Sequence, residues 1–233
     1  MRRGKLIGLG VGPGDPELMT MRGVRALEKT PAIAFIAAAG RASRAREIAA
    51  SYIRHGTREL IAVMPMSQDP TASGRAYTQL VTGVIGELGQ GNDVVFLCEG
   101  DPLLYGSFAQ LMGRLANRFE IEVVPGITSI TASAAVAQIP LAMGDEALAV
   151  LPATLPPKRL AELLQQADRA VILKVGRHLD KVKEALGSAR MLEAVLVENV
   201  TLTQQRIRLL ATVNDPQVPY FSLIIAGRSR PGA

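Results

Sequence analysis

At 233 residues, 48% of them hydrophobic and 20% charged, the chain can bury a real core, which excludes a disordered polymer. A single cysteine, Cys98, leaves no intrachain disulfide framework, no apolar stretch follows the two early arginines as a secretory signal would require, and no run approaches the roughly 20 apolar residues of a membrane span, so a soluble cytoplasmic protein is expected. The net charge of +5 comes from dispersed arginines, and 4% aromatic content without tryptophan removes the stacking surface of a single-strand nucleic-acid binder, leaving an anionic small ligand as the better fit.

Residues 5–9 read as a first strand entering a glycine-rich loop, and Asp15 stands as N-cap before Pro16-Glu17 and a helix carrying Leu18, Met21, Val24 and Leu27. Thr30-Pro31 stops that helix, and residues 32–36 suit a second strand. A helix carrying Ile48, Ala49, Tyr52 and Ile53, a strand over 60–63 and a helix with Leu80, Val81, Val84, Ile85 and Leu88 continue the alternation. Residues 93–98 are apolar almost throughout, as a strand covered on both faces of a parallel sheet must be, and they end in Glu99-Gly100-Asp101-Pro102. Ligands of open α/β sheets gather at such strand ends.

A helix around Phe108, Leu111, Met112 and Leu115 and a strand over 120–124 follow, and the domain junction is expected at Pro125-Gly126, dividing 1–125 from 126–233. The second half carries expected strands at 147–151, 170–175, 194–197 and 221–226, with helices from Lys158 and Leu179. Its last strands lack long helices between them, which predicts antiparallel pairing and α+β character.

The loop Gly8-Leu9-Gly10-Val11-Gly12-Pro13-Gly14-Asp15 invites a dinucleotide-binding reading, but a G-x-G-x-x-G from Gly8 needs glycine where Pro13 stands, and one from Gly10 needs it where Asp15 stands. Two readings stay open for the loop alone: a tight strand-to-helix turn, or backbone approaching a ligand.

That loop, then Gly100-Asp101-Pro102-Leu103-Leu104-Tyr105-Gly106, then Pro125-Gly126-Ile127-Thr128-Ser129, closely resembles in order and interval the tetrapyrrole (corrin/porphyrin) methylase family. The resemblance implies two α/β domains with mixed sheets, S-adenosylmethionine held in the inter-domain cleft and released as S-adenosylhomocysteine, and a homodimer. Leu151-Pro152-Ala153-Thr154-Leu155-Pro156, Lys174-Val175-Gly176-Arg177-His178, Val197-Glu198-Asn199 and Pro219-Tyr220-Phe221-Ser222 are similar to the branch that methylates precorrin-2 at C20 in cobalamin biosynthesis. A branch acting on uroporphyrinogen typically has glycine after the Glu-Asn pair, where Val200 stands here, and diphthine synthase is a poorer match through 151–156.

By the same resemblance, Pro13, Glu99, Gly100, Asp101 and Leu104 line the cofactor, Thr128 and Ser129 meet its amino acid end, and Val175 and Val200 lie by the adenosine. Gly12, Pro13, which is expected beside the methyl donor or the substrate, and Tyr105 are the candidate substrate contacts, with core packing the plainer reading of Tyr105. Two readings of Asp101 stand side by side: a group assisting proton loss from the methylated carbon, or a turn residue holding backbone geometry. Precorrin-2 bears carboxylates, for which Arg41, Arg44 and Arg46 are candidate clamps, against the plainer reading of a solvated helix face. Cys98 reads as a buried hydrophobe, and two histidines, His55 and His178, without a cysteine partner give a metal site nothing to build on. Methylation of another tetrapyrrole carbon, and a non-catalytic nucleotide-binding module, are the competing readings. The sequence leaves open whether the substrate carries cobalt.

Overall fold

The computed structural model describes residues 3–65, 70–215 and 217–228. The chain divides into two compact units, Met1–Thr128 and Ser129–Ala233.

The first unit holds five strands, β1 (Lys5–Gly10), β2 (Ala32–Ala38), β3 (Arg58–Met64), β4 (Val94–Cys98) and β5 (Glu120–Val124), in the order β3-β2-β4-β1-β5. Every pairing is parallel. Parallel neighbours need crossovers, supplied by helices α1 (Met21–Lys29), α2 (Arg44–Ile48), α3 (Pro70–Gly89) and α4 (Phe108–Leu115). Every residue of β4 is buried, because alternate side chains enter cores on opposite faces of the sheet. Val94, Phe96 and Cys98 join Leu6, Phe108 and Leu111 on one face, while Val95 and Leu97 join Leu9, Ile33 and Leu27 on the other.

Two local expectations need correction. Asp15 caps a single 3-10 turn, Pro16–Leu18, where its carboxylate accepts the Glu17 N–H, and not the helix itself. Met19 is extended and buried, so the chain straightens there and α1 starts afresh with Thr20 as its N-cap, the hydroxyl accepting the Gly23 N–H at 3.1 Å. The helix expected to carry Ile48 through Ile53 is instead the short α2 followed by a 3-10 turn, Ala50–Tyr52.

The second unit contains α5 (Ser129–Ala137), β6 (Leu148–Pro152), α6 (Pro157–Gln165), β7 (Arg169–Leu173), α7 (Leu179–Ser188), β8 (Glu193–Glu198), β9 (Arg206–Leu209) and β10 (Ser222–Gly227). The sheet order is β6-β7-β10-β8-β9. Only β6 and β7 are parallel; β7–β10, β10–β8 and β8–β9 are antiparallel, and of these only β8 and β9 are joined by a short connection. One core, including Leu160, Leu164, Ile172, Leu179, Leu196 and Ile224, packs α6 and α7 on this sheet. Two elements lie outside the sequence expectations, α5 and β9.

Candidate active site

The three glycine-bearing turns leave the first sheet side by side, because β4, β1 and β5 are neighbours running the same way, with Gly10 opposite Cys98 and Leu9 opposite Val124. The turn after β1 lies along the turn after β4: the Val11 N–H donates to the Cys98 carbonyl at 2.9 Å and the Gly100 N–H to the Gly12 carbonyl at 2.8 Å. Gly12 and Gly100 adopt φ +85° and +63°, the left-handed region that glycine enters without steric cost.

The turn after β5 closes the arrangement. A methyl group on Gly126 would lie 2.1 Å from the Gly100 carbonyl oxygen and 2.7 Å from the Gly10 Cα, and one on Gly10 would lie 2.4 Å from the same oxygen. Three backbones therefore touch where no side chain fits. A Cβ on Gly100 would come within 3.8 Å of the Thr128 Cα, so Thr128 stands beside the same cradle.

Asp101 fastens the second turn to the third. One carboxylate oxygen accepts the Leu103 N–H at 2.9 Å, and the other accepts the Gly126 N–H at 3.2 Å. Just beyond it, Tyr105 takes φ +55°, and Leu103, Leu104 and Tyr105 all expose their side chains, an apolar surface carried on a polar loop. Pro13, on the first turn, is half-buried.

Glu99 lies at the mouth of β4. Its side chain reaches solvent, yet the protein packed around it raises the carboxyl above its ordinary range; Arg44 opposes that shift and Glu47 adds to it. Arg44 is thus held within electrostatic reach of Glu99, whereas Arg41 is exposed in the turn after β2. Arg46 is already paired on β3, its Nε donating to Glu59 at 2.8 Å. Burial pushes the Cys98 thiol up to about 12, so it stays protonated and inert at neutral pH.

In the second unit, β7 and β8 both pair antiparallel with β10 and therefore end at the same edge of their sheet. Val175 follows β7 and Val200 follows β8, both buried, and Ser129 opens α5. Beside Val200 is a polar pocket of about 370 Å³, lined by Glu198 and Asn199 of one motif together with Arg206, Arg208, Asp215 and Gln217, which no motif includes, among others. The buried Glu198 carboxylate accepts from Arg208 at 3.0 and 3.1 Å, and Arg208 also donates to Asp215 at 2.5 Å, so one guanidinium is shared between two carboxylates. His178 lies after Val175, its pKa lowered first by desolvation and then by Lys181 and Arg177. Among the described residues no group of three or more His, Cys, Asp or Glu could hold a metal ion, and no helix is long and apolar enough to cross a membrane.

A family model described as Tetrapyrrole (Corrin/Porphyrin) Methylases matches residues 5–214. The precorrin-2 C(20)-methyltransferase of Sinorhizobium sp. is 40% identical over 231 residues, covering 95% of this chain and 94% of its own. The cobalt-precorrin-2 C(20)-methyltransferase of Salmonella typhimurium is 35% identical over 231 residues, covering 97% of each. Among solved structures, a cobalt precorrin-4 methyltransferase shares the fold with a TM-score of 0.77 at 23% identity, over 96% of this chain and 94% of that one. The glycine-lined meeting of three turns lies within a match that spans both units, and the chain belongs to the tetrapyrrole (corrin/porphyrin) methylases.

Proposed function

We propose that the chain transfers a methyl group from S-adenosylmethionine to C20 of precorrin-2 or of cobalt-precorrin-2, a step of cobalamin biosynthesis. The observation that carries the reading is the cradle of Gly10, Gly100 and Gly126, where backbone groups crowd together at the carboxyl ends of parallel strands. Relatives with 40% and 35% identity over nearly their whole length, each named for methylation at C20 of this macrocycle, favour that substrate over another tetrapyrrole.

The residues fit the donor. Its amino acid, ribose and adenine call for exposed backbone polar groups and a few acceptors, which glycine turns offer. When bound, S-adenosylmethionine supplies a methyl group already activated by its sulfonium. The chain's own task is then to hold the accepting carbon close and in line; well-oriented pairs of reacting groups gain roughly 7–11 kcal/mol from positioning alone.

In this proposal Pro13, Glu99, Gly100, Asp101 and Leu104 of the first unit contact the cofactor, with Thr128 and Ser129 at its amino acid end and Val175 and Val200 at its adenosine. Asp101 acts by holding its turn, because both carboxylate oxygens already accept backbone N–H groups. Gly12, Pro13 and Tyr105 meet the macrocycle, for which the exposed apolar side chains of the second turn are suited. Arg41 and Arg44 are the proposed partners of its carboxylates, with Arg41 the more accessible. The proposal includes a homodimer in the cytoplasm, whose stoichiometry light scattering would read.

Calorimetry with S-adenosylmethionine, paired with turnover on precorrin-2 and on its cobalt form, tests the reading. Binding with turnover on either substrate is expected. Binding without turnover on both would leave a non-catalytic nucleotide-binding module instead.

A further inference from the structure

The turn that carries Val200 is held by a side chain that none of the motifs includes. Asn199 and Thr201 flank Val200 with φ +48° and +62°, left-handed angles that asparagine tolerates and that a β-branched threonine adopts only under constraint. Backbone bonds supply part of that constraint. The Asn199 N–H donates to the Phe221 carbonyl at 2.7 Å, the Leu202 N–H to the Asn199 carbonyl at 3.0 Å, and the Gln205 N–H to the Leu202 carbonyl at 2.9 Å. A side chain adds a further tie: Gln205 Oε1 accepts the Thr201 N–H at 2.7 Å.

Between these ties, Val200 is only 7% exposed, yet among the described residues its own N–H and C=O have no partner. Buried peptide groups are nearly always paired, so an unpaired peptide edge is an edge offered to something else. An N–H beside a C=O complements a ligand that carries an acceptor beside a donor, as the ring nitrogen and exocyclic amine of adenine do. Gln205 itself is exposed, and its carboxamide oxygen is spent on shaping this turn.

We propose that Gln205 is a positioning residue for the cofactor: by accepting the Thr201 N–H it fixes the strained Asn199–Thr201 turn so that the Val200 peptide edge faces the adenine. This rests on the S-adenosylmethionine reading above. Gln205→Ala removes the acceptor, and Gln205→Glu keeps one. Loss of a single hydrogen bond of this kind predicts about tenfold weaker S-adenosylmethionine binding in Q205A, by calorimetry, with the KM for S-adenosylmethionine raised equally and kcat at saturation within about twofold of wild type. Q205E should return both values to within about twofold of wild type. Amide exchange at Thr201, fast in Q205A and slow in the wild type and Q205E, reports the turn directly even if one variant proves less stable. Should Q205A bind like the wild type, or Q205E bind as poorly as Q205A, the inference is wrong while the reading above stands. A wild type that binds no S-adenosylmethionine sinks both.

Discussion

The two units build their strand-end turns in opposite ways. In the first, Gly10, Gly100 and Gly126 bring three backbones into contact and any added carbon collides, so the shape depends on side chains being absent. In the second, Val175 and Val200 are buried side chains, and the left-handed positions flanking Val200, Asn199 and Thr201, are held by non-glycine residues under hydrogen-bond constraint. A glycine-made turn is intolerant of gaining atoms, whereas a valine-made turn also depends on the packing its side chain supplies.

Adding one methyl group to the first unit should have the largest effect. Gly126→Ala places Cβ 2.1 Å from the Gly100 oxygen, and a backbone clash this close belongs at the upper end of overpacking costs, about 3 kcal/mol, so S-adenosylmethionine affinity should fall by on the order of 100-fold in calorimetry. Wild-type affinity would mean that the three turns do not meet at the cofactor. Removing methyl groups from the second unit should act next most strongly and mainly on folding. Val175 is fully buried in the core with Leu179 and Ile172, and Val175→Ala should lower unfolding stability in urea by about 2 kcal/mol. A variant as stable as the wild type would show that the valine-made turn does not depend on packing.

Asp101→Asn sharpens the contrast within the first unit. Asparagine offers one acceptor where aspartate offers two, so either the Leu103 or the Gly126 N–H loses its partner, at a cost of about 1–3 kcal/mol. Cofactor affinity and turnover should drop together, by roughly tenfold. If kcat falls while affinity holds, Asp101 works on a proton and not on the turn.

The smallest effect lies at the sheet edge, away from both turns. Glu122 is held below its ordinary carboxyl pKa of 4.5, by Arg22 first and Lys5 second. A depressed acid contributes stability that is present above its unfolded pKa and is lost as pH falls through the folded one. Wild type should therefore be slightly more stable to unfolding than Glu122→Gln at neutral pH, by no more than about 1 kcal/mol for a pair this exposed, and the gap should close well below pH 4.5. A gap that persists in acid would remove the ion pair as its cause.

How far the sequence could be read follows the same division. The strand Val94–Cys98 and the three glycine turns were legible because continuous apolar burial and glycine clusters each have one common physical origin. Helix α5, with the sequence SITASAAVA, was not legible: small residues surround it and no apolar stripe marks a period. The four residues of β9, two of them arginine, are too short to separate from a loop. Thr20 as the true helix cap was obscured by Asp15, an equally good cap five residues earlier whose turn ends at an extended Met19. The engagement of Arg46 with Glu59 joins α2 to β3 across 13 residues, and no local spacing announces such a pair. Gln205 escaped for a similar reason, since an acceptor reaching back four residues outside a helix has no motif.

The central claim is methyl transfer to one named carbon, and the most direct measurement is NMR of the product formed from precorrin-2 and S-adenosylmethionine carrying a carbon-13 methyl group. The expected spectrum has a single new labelled methyl, correlated to C20. A labelled methyl on any other ring carbon, or none on either the cobalt-free or the cobalt-bearing substrate, would contradict the assignment.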